Sequence, residues 1–354
     1  MINIKMFLTE LQEKRASDLH LTVGLPPTMR IDGKLIPSKV PNLSQEDTKA
    51  IARSIVSEEQ WGKFQETHEL DLSLGIPQVG RFRVNIYYQR GSIGLAIRAL
   101  SYNIPTMEEL HLPTEILQKL ALLPRGLILA TGPTGSGKST SLASMIDYIN
   151  SNRSCHIVTI EDPIEYVHSH KQSIINQREV GEDTHSFESA LVHVLRQDPD
   201  VILVGEMRNL ETVAIALTAA ETGHLVLATL HTNNAPQTVD RIIDIFPPHH
   251  QQQIRIQLSA CLQGIVSQQL IPRSDTRGRI PAIEILLANN AVCNLIREGK
   301  SHQLYSVMQS SLAEGMLTMD WALFDLYKKG MVNWEEAFSR SIYPKEFSRW
   351  RSRV

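Results

Sequence analysis

The segment Gly132-Pro133-Thr134-Gly135-Ser136-Gly137-Lys138-Ser139 constrains this chain more than any other. It follows the apolar run Leu127-Ile128-Leu129-Ala130 and opens a helix-like stretch, Thr140 to Ile149, which is the strand, loop and helix setting that a P-loop requires. Glycines there let backbone N–H groups converge on phosphate oxygens, and the helix N-terminus adds positive dipole. Lys138 neutralises charge on the outer phosphates and Ser139 ligates Mg²⁺. Gly132, Thr134, Gly135, Ser136, Gly137, Lys138, Ser139 and Thr140 are therefore the predicted phosphate-binding residues, and a nucleoside triphosphate the predicted ligand.

A loop of this kind sits in an α/β core, and the surrounding pattern agrees. From Gly126 onward apolar strand candidates alternate with helices: Leu127 to Ala130, His156 to Ile160, Val201 to Val204 and Leu225 to Leu230. Near-continuous apolar strands predict a parallel sheet covered on both faces. After Pro247-Pro248 the chain reads as mostly helical, broken by one strand, Ile280 to Leu286, and it ends in short amphipathic helices through Trp350.

The first hundred residues read differently. Extended segments (Asp18 to Val23, Thr28 to Ile36, Leu70 to Leu74) precede an alternating pair, Arg81 to Gln89 and Ile93 to Leu100, that flanks a hairpin signal, Arg90-Gly91-Ser92. A helical pair, Ser44 to Val56 and Ser57 to Thr67, opens each time on a capping serine. The fold class expected is thus α/β, with a small α+β domain over 1–100, a linker over 101–112 at the proline-broken Ser101-Tyr102-Asn103-Ile104-Pro105, a P-loop core over 113–288 and a helical region over 289–354.

At 354 residues the chain is long enough for such a division. A formal net charge of −3 gives no global basic footprint, no basic stripe interleaved with aromatics occurs, and no nucleic-acid partner is expected. The apolar runs fall far short of the ~18 residues of a membrane span, and the N-terminal residues lack a secretory core, so a cytoplasmic location is expected. Cys155, Cys261 and Cys293 are widely separated, which indicates neither a disulfide framework nor a zinc site. Trp321, Trp334 and Trp350 fit either a core or a docking surface, and three arginines in the tail Arg349-Trp350-Arg351-Ser352-Arg353 are too few for a membrane-binding cluster.

Three more segments end apolar strands on polar groups, where open α/β sheets place ligand chemistry. Val201-Ile202-Leu203-Val204-Gly205-Glu206 is similar to a Walker B strand with glycine where aspartate is usual, and Glu206 is expected to hold Mg²⁺ through water. Thr159-Ile160-Glu161-Asp162-Pro163-Ile164-Glu165 crowds three carboxylates after a strand; one is a candidate to orient the attacking water, the alternative being a capping or salt-bridging cluster. Gly223-His224-Leu225 through Leu230-His231-Thr232 carries a histidine at each end of one strand, and His231 is the better γ-phosphate sensor.

Together the P-loop, IEDPIEYVH, VILVGEMR and GHLVLATLHT resemble the Walker A, Asp box, Walker B and His box of the secretion ATPase superfamily, which drives type IV pili and type II and type IV secretion. RASDLHLTVGLPPTMRIDG and GRFRVNIYYQRG resemble its PAS-like N-terminal domain, and AVCNLIRE resembles the C-terminal AIRNLIRE motif of its pilus-retracting branch. The resemblance implies a RecA-like core and a homohexameric ring that hydrolyses ATP with Mg²⁺, with nucleotide between the N-terminal domain of one subunit and the core of another. It implies catalytic roles for Glu165, Glu206, His224 and His231, and nucleotide contacts for Arg81, Arg83 and Arg98. It further implies a motor for pilus retraction and twitching motility, acting on an inner-membrane platform protein and held at the inner face of the cytoplasmic membrane through partners. The alternatives are a type IV or type II secretion ATPase, a pilus extension ATPase, and, from other classes, a nucleotide-gated scaffold or a nucleic-acid translocating ring. Asn209, Gln197 and Cys293 depart from the usual residues of that branch.

Overall fold

The structure, a computed structural model, describes residues 4–14, 16–31, 33–100 and 103–351. Ser101 and Tyr102 of the expected linker and Ser352 and Arg353 of the basic tail lie outside the described residues. The chain divides into two compact units, 1–103 with 165–167, and 104–164 with 168–354.

The first unit runs α1 (Ile4–Glu13), β1 (Asp18–Leu21), β2 (Thr28–Ile31), β3 (Lys34–Pro37), α2 (Gln45–Ser54), α3 (Glu58–Thr67), β4 (Glu69–Ile76), β5 (Gly80–Gln89) and β6 (Ser92–Ala99). Its sheet is antiparallel in the order β3-β2-β1-β6-β5-β4. Period-two patterning orients it: Phe82, Val84 and Ile86 of β5 are buried, whereas Arg83 between them is exposed. Phe7, Leu8 and Leu11 of α1 and Ile51 and Phe64 of α2 and α3 close the same core. Both predicted serine caps form as full capping boxes, Ser44 with Asp47 and Ser57 with Gln60. The single strand expected over Thr28 to Ile36 is instead the hairpin β2–β3, turned at Gly33 with φ 79°.

The second unit holds α4 (Thr114–Ala121), β7 (Gly126–Thr131), α5 (Lys138–Asn152), β8 (His156–Glu161), β9 (Ile174–Glu179), α6 (Phe187–Val194), β10 (Val201–Val204), α7 (Leu210–Glu221), β11 (Leu225–Leu230), α8 (Ala235–Asp244) and α9 (Pro248–Cys261). It continues through β12 (Leu262–Pro272), β13 (Arg279–Leu287), α10 (Asn290–Arg297), α11 (Leu304–Ser310), α12 (Met319–Lys328), α13 (Trp334–Ser339) and α14 (Pro344–Trp350). Its sheet runs β13-β12-β7-β11-β10-β8-β9, parallel throughout except for β13. Strand alternation splits the core in two. Leu127, Leu129, Ile202 and Val226 face one apolar layer with α6 to α10, and Ile128, Ala130, Leu203 and Leu227 face another with α4 and α5.

Two strands depart from the sequence reading. β9 is a polar edge strand that carries no apolar alternation, and β12 lies where helix was expected. β12 pairs with both β7 and β13, so the strand beside the P-loop strand is one that the sequence pattern had missed. Of the three C-terminal tryptophans, Trp334 is core, stacked on Phe347 at 5.1 Å, and Trp350 packs on Phe324, while Trp321 remains exposed. The three cysteines are free.

Candidate nucleotide site

The P-loop leaves the C-terminal end of β7, a strand buried along its whole length, and re-enters the fold as α5. Its tight course depends on Gly132. Gly132 has φ 138°, and a Cβ there would meet the Gln268 carbonyl oxygen at 2.2 Å, so no side chain fits against β12. Gln268 also accepts a hydrogen bond from Ser141 Oγ at 2.8 Å, and Thr131 Oγ1 donates to Ser267 Oγ at 2.8 Å. β12 thus braces both ends of the loop, a role the sequence reading missed with the strand itself.

Lys138 is buried and donates from Nζ to the carbonyls of Gly132 at 2.7 Å and Pro133 at 3.1 Å, which holds its ammonium over the loop. Thr134, Gly135 and Ser139 are exposed, Thr140 is half-buried, and Ser136 is buried. A nucleotide phosphate fits this group on two observations. α5 begins at Lys138 with Gly137 at its N-cap and no side-chain cap, and the positive end of a helix dipole left open in this way favours an anion. Ser136 Oγ is buried without a hydrogen-bond partner, a donor that a phosphate oxygen would satisfy.

Parallel pairing brings the other strand ends to the same rim. Thr131 lies level with Leu230, and Val204 with Ile160. Glu206 and His231 therefore converge: His231 Nε2 donates to Glu206 Oε1 at 3.0 Å, and Arg208 Nε lies 2.6 Å from the same oxygen. Burial works against the Glu206 charge, but the Arg208 hydrogen bond and the nearby His231 outweigh it and hold the carboxyl below its usual range. Gly205 packs closely on β8: its N–H donates to the Ile160 carbonyl at 2.7 Å, and a Cβ would stand 3.1 Å from that oxygen, a tight contact. Among the described residues no group of three or more His, Cys, Asp or Glu is placed to hold a metal ion. Mg²⁺ would take the Ser139 hydroxyl, phosphate oxygens and waters ordered by Glu206.

His224 is not brought to this group. It lies at the N-terminal end of β11, with Nδ1 2.9 Å from the Ala219 carbonyl and its own carbonyl accepting from Gly126 N, at the start of β7. Five residues of strand separate that level from Thr131, about 17 Å at ~3.3 Å per residue. The histidine thus lies at the opposite rim of the sheet from the P-loop. Glu161 is likewise engaged, accepting from Thr159 Oγ1 at 2.6 Å and Gln177 Nε2 at 3.2 Å. Glu165 is exposed, four residues beyond β8, and falls in the first unit.

Arg81, Arg83 and Arg98 also belong to the first unit. Arg98 opposes Arg83 across β5–β6 and donates from Nε to Asp18 Oδ1 at 2.9 Å, and Arg83 lies 3.9 Å from Asp71. Asp18 holds Arg30 as well, at 3.7 Å. Asn209 caps α7 by accepting from Thr212 N at 3.0 Å while its amide donates to Glu188. An aspartate could cap equally well but would set two carboxylates together, so asparagine suits this neighbour. Cys293 sits half-buried on α10 and Gln197 is exposed.

The chain matches the family described as Type II/IV secretion system protein over residues 2–337. It is 46% identical to the type IV pilus retraction ATPase PilT of Pseudomonas aeruginosa, covering 97% of this chain and 100% of that protein. It is 48% identical to the type IV pilus ATPase PilU of the same organism, covering 93% and 86%. A crystal structure of the pilus retraction motor PilT with bound ADP superposes with a TM-score of 0.91 at 54% identity, covering 99% of this chain and 100% of that one. With a P-loop, Glu206 and a strand-end histidine on one rim of a parallel sheet, and with these relatives, the chain belongs to the type II/IV secretion system protein family.

Proposed function

We propose that this chain is a Mg²⁺-dependent ATP hydrolase that works as a homohexameric motor of type IV pilus retraction. In this reading it acts at the inner face of the cytoplasmic membrane on an inner-membrane platform protein of the pilus. The observation that carries the proposal is end-to-end likeness to a pilus retraction ATPase, with the P-loop, Glu206 and His231 sharing one rim.

The residues divide the work by chemistry. The loop amides, Ser136 and Lys138 hold phosphate oxygens, and Ser139 and Glu206 hold Mg²⁺ and its waters. Mg²⁺, when bound, withdraws charge from the phosphates. His231, held on Glu206, reports the outer phosphate, and Glu165 orients the attacking water and accepts its proton. Arg81, Arg83 and Arg98 supply guanidinium charge to the nucleotide in the assembled ring. Steady-state ATP turnover of the full chain tests this. Lys138→Ala and Glu165→Gln should each lower kcat by at least ~100-fold. Turnover unchanged in both variants would contradict catalysis and leave a nucleotide-gated scaffold.

A further inference from the structure

Glu284, on β13, is fully buried, where an unpaired carboxylate is expensive. Two backbone donors hold it. Oε1 accepts from Ala235 N at 2.7 Å and Oε2 from Met319 N at 3.3 Å, the first residues of α8 and α12. Ser267 stands directly opposite across the β12–β13 pair, which sets its hydroxyl on the same face of the sheet as the carboxyl. Ser267 Oγ itself accepts from Thr131 Oγ1, and Thr131 is the last residue of β7, adjoining Gly132. Thr131, Ser267 and Glu284 thus stand in one row across β7, β12 and β13, and the two helix termini donate to the carboxyl that ends it. α8 is the helix that follows His231 by four residues, so both strands that end at the phosphate rim are tied to one group.

The network extends outward through α12. Asp320, the next residue after Met319, is buried and accepts from Ile342 N at 2.6 Å and Tyr343 N at 2.9 Å, the residues leading into α14. None of these groups lies in the loop that holds phosphate, and none has a part in the chemistry proposed above. In so dry a setting each donor has one acceptor, and leaving a buried polar group unpaired costs roughly 1–3 kcal/mol. A displacement of the β7 end is then followed by its neighbours rather than absorbed.

We propose that Glu284 is a positioning residue that, with Ser267, couples the phosphate-binding end of β7 to the first turn of α12, so that filling the P-loop is transmitted to the C-terminal helices. The coupling rests on the nucleotide reading above. It assigns the C-terminal region a state that depends on nucleotide and is carried by buried hydrogen bonds within one subunit.

Amide hydrogen exchange on the full chain, with and without Mg²⁺ and a non-hydrolysable ATP analogue, tests it in wild type, Ser267→Ala and Glu284→Gln. Binding is measured in parallel with a fluorescent nucleotide. In wild type, exchange in the first turn of α12 should change by about fivefold or more on binding. Ser267→Ala leaves Glu284 its two backbone donors, so basal protection of α12 and nucleotide affinity should stay within about twofold while the nucleotide response is lost. Glu284→Gln should lose both the response and the basal protection at Met319. In both variants kcat should fall about tenfold with KM within about twofold, the mark of lost positioning rather than lost binding. A full response in Ser267→Ala, or a wild type that binds nucleotide without any response at α12, would overturn the coupling alone. A wild type that binds no nucleotide would overturn the functional reading and the coupling together.

Discussion

Two carboxylates of the second unit sit on opposite sides of their ordinary range, and pH separates them. Glu206 is depressed: burial raises it, but the hydrogen bond from Arg208 and the charge of His231 lower it more. Its contribution to stability is present above the usual carboxylate range and disappears as pH falls through its lowered value. Glu284 is the reverse. Burial pushes it up to about 7 against the backbone hydrogen bonds of Ala235 and Met319, with Asp320 adding to the rise. Its contribution is fully present below the usual carboxylate range and is lost as pH climbs through about 7. The melting temperature of wild type relative to Glu284→Gln should therefore be greatest near pH 5 and shrink toward pH 8; a difference that stays flat across that range would contradict the assignment. At Asn209, the aspartate usual in the pilus-retracting branch should destabilise this chain by about 1–2 kcal/mol in urea unfolding, because Glu188 loses its donor and gains a like charge. The P-loop residues and the Glu206 and His231 candidates were legible because each lies in a short local pattern. Arg208, Ser267, Gln268 and Glu284 were not, since only strand register and burial make them partners.

Strands buried on both faces announced themselves as apolar runs, which is why β7, β8, β10 and β11 could be read without the structure. β12 could not. It starts immediately after Cys261 with no breaker between helix and strand, and Gln263, Ser267, Gln268 and Gln269 interrupt its apolar pattern. Ser267 and Gln268 are nevertheless buried, because Thr131 and Ser141 satisfy them, and nothing local in the sequence marks a glutamine as paired. Caps behaved oppositely, since a serine followed three residues later by an acid or amide specifies its own hydrogen bonds. Ser57→Ala should cost about 1 kcal/mol, seen as a lowered urea midpoint with unchanged slope. An unaltered midpoint would mean that α3 is held by Trp61 and Phe64 burial alone.

At the scale of the whole molecule, each unit carries its own sheet and its own apolar core, so each contains what it needs to fold. No helix among the described residues is long and apolar enough to cross a membrane, and in the proposed reading membrane association comes through partners. Such an arrangement suits a motor in which one unit binds phosphate and moves in response to it. Retraction is the central claim of the proposed reading, so the direction of pilus movement is the claim most worth testing. The direct measurement is the number of surface pili, with twitching, on cells lacking this chain and on cells carrying Glu165→Gln. Retraction predicts excess pili and lost twitching in both strains. Bare cells would contradict it and make this chain an extension motor, and unchanged pili would contradict it in favour of a secretion system.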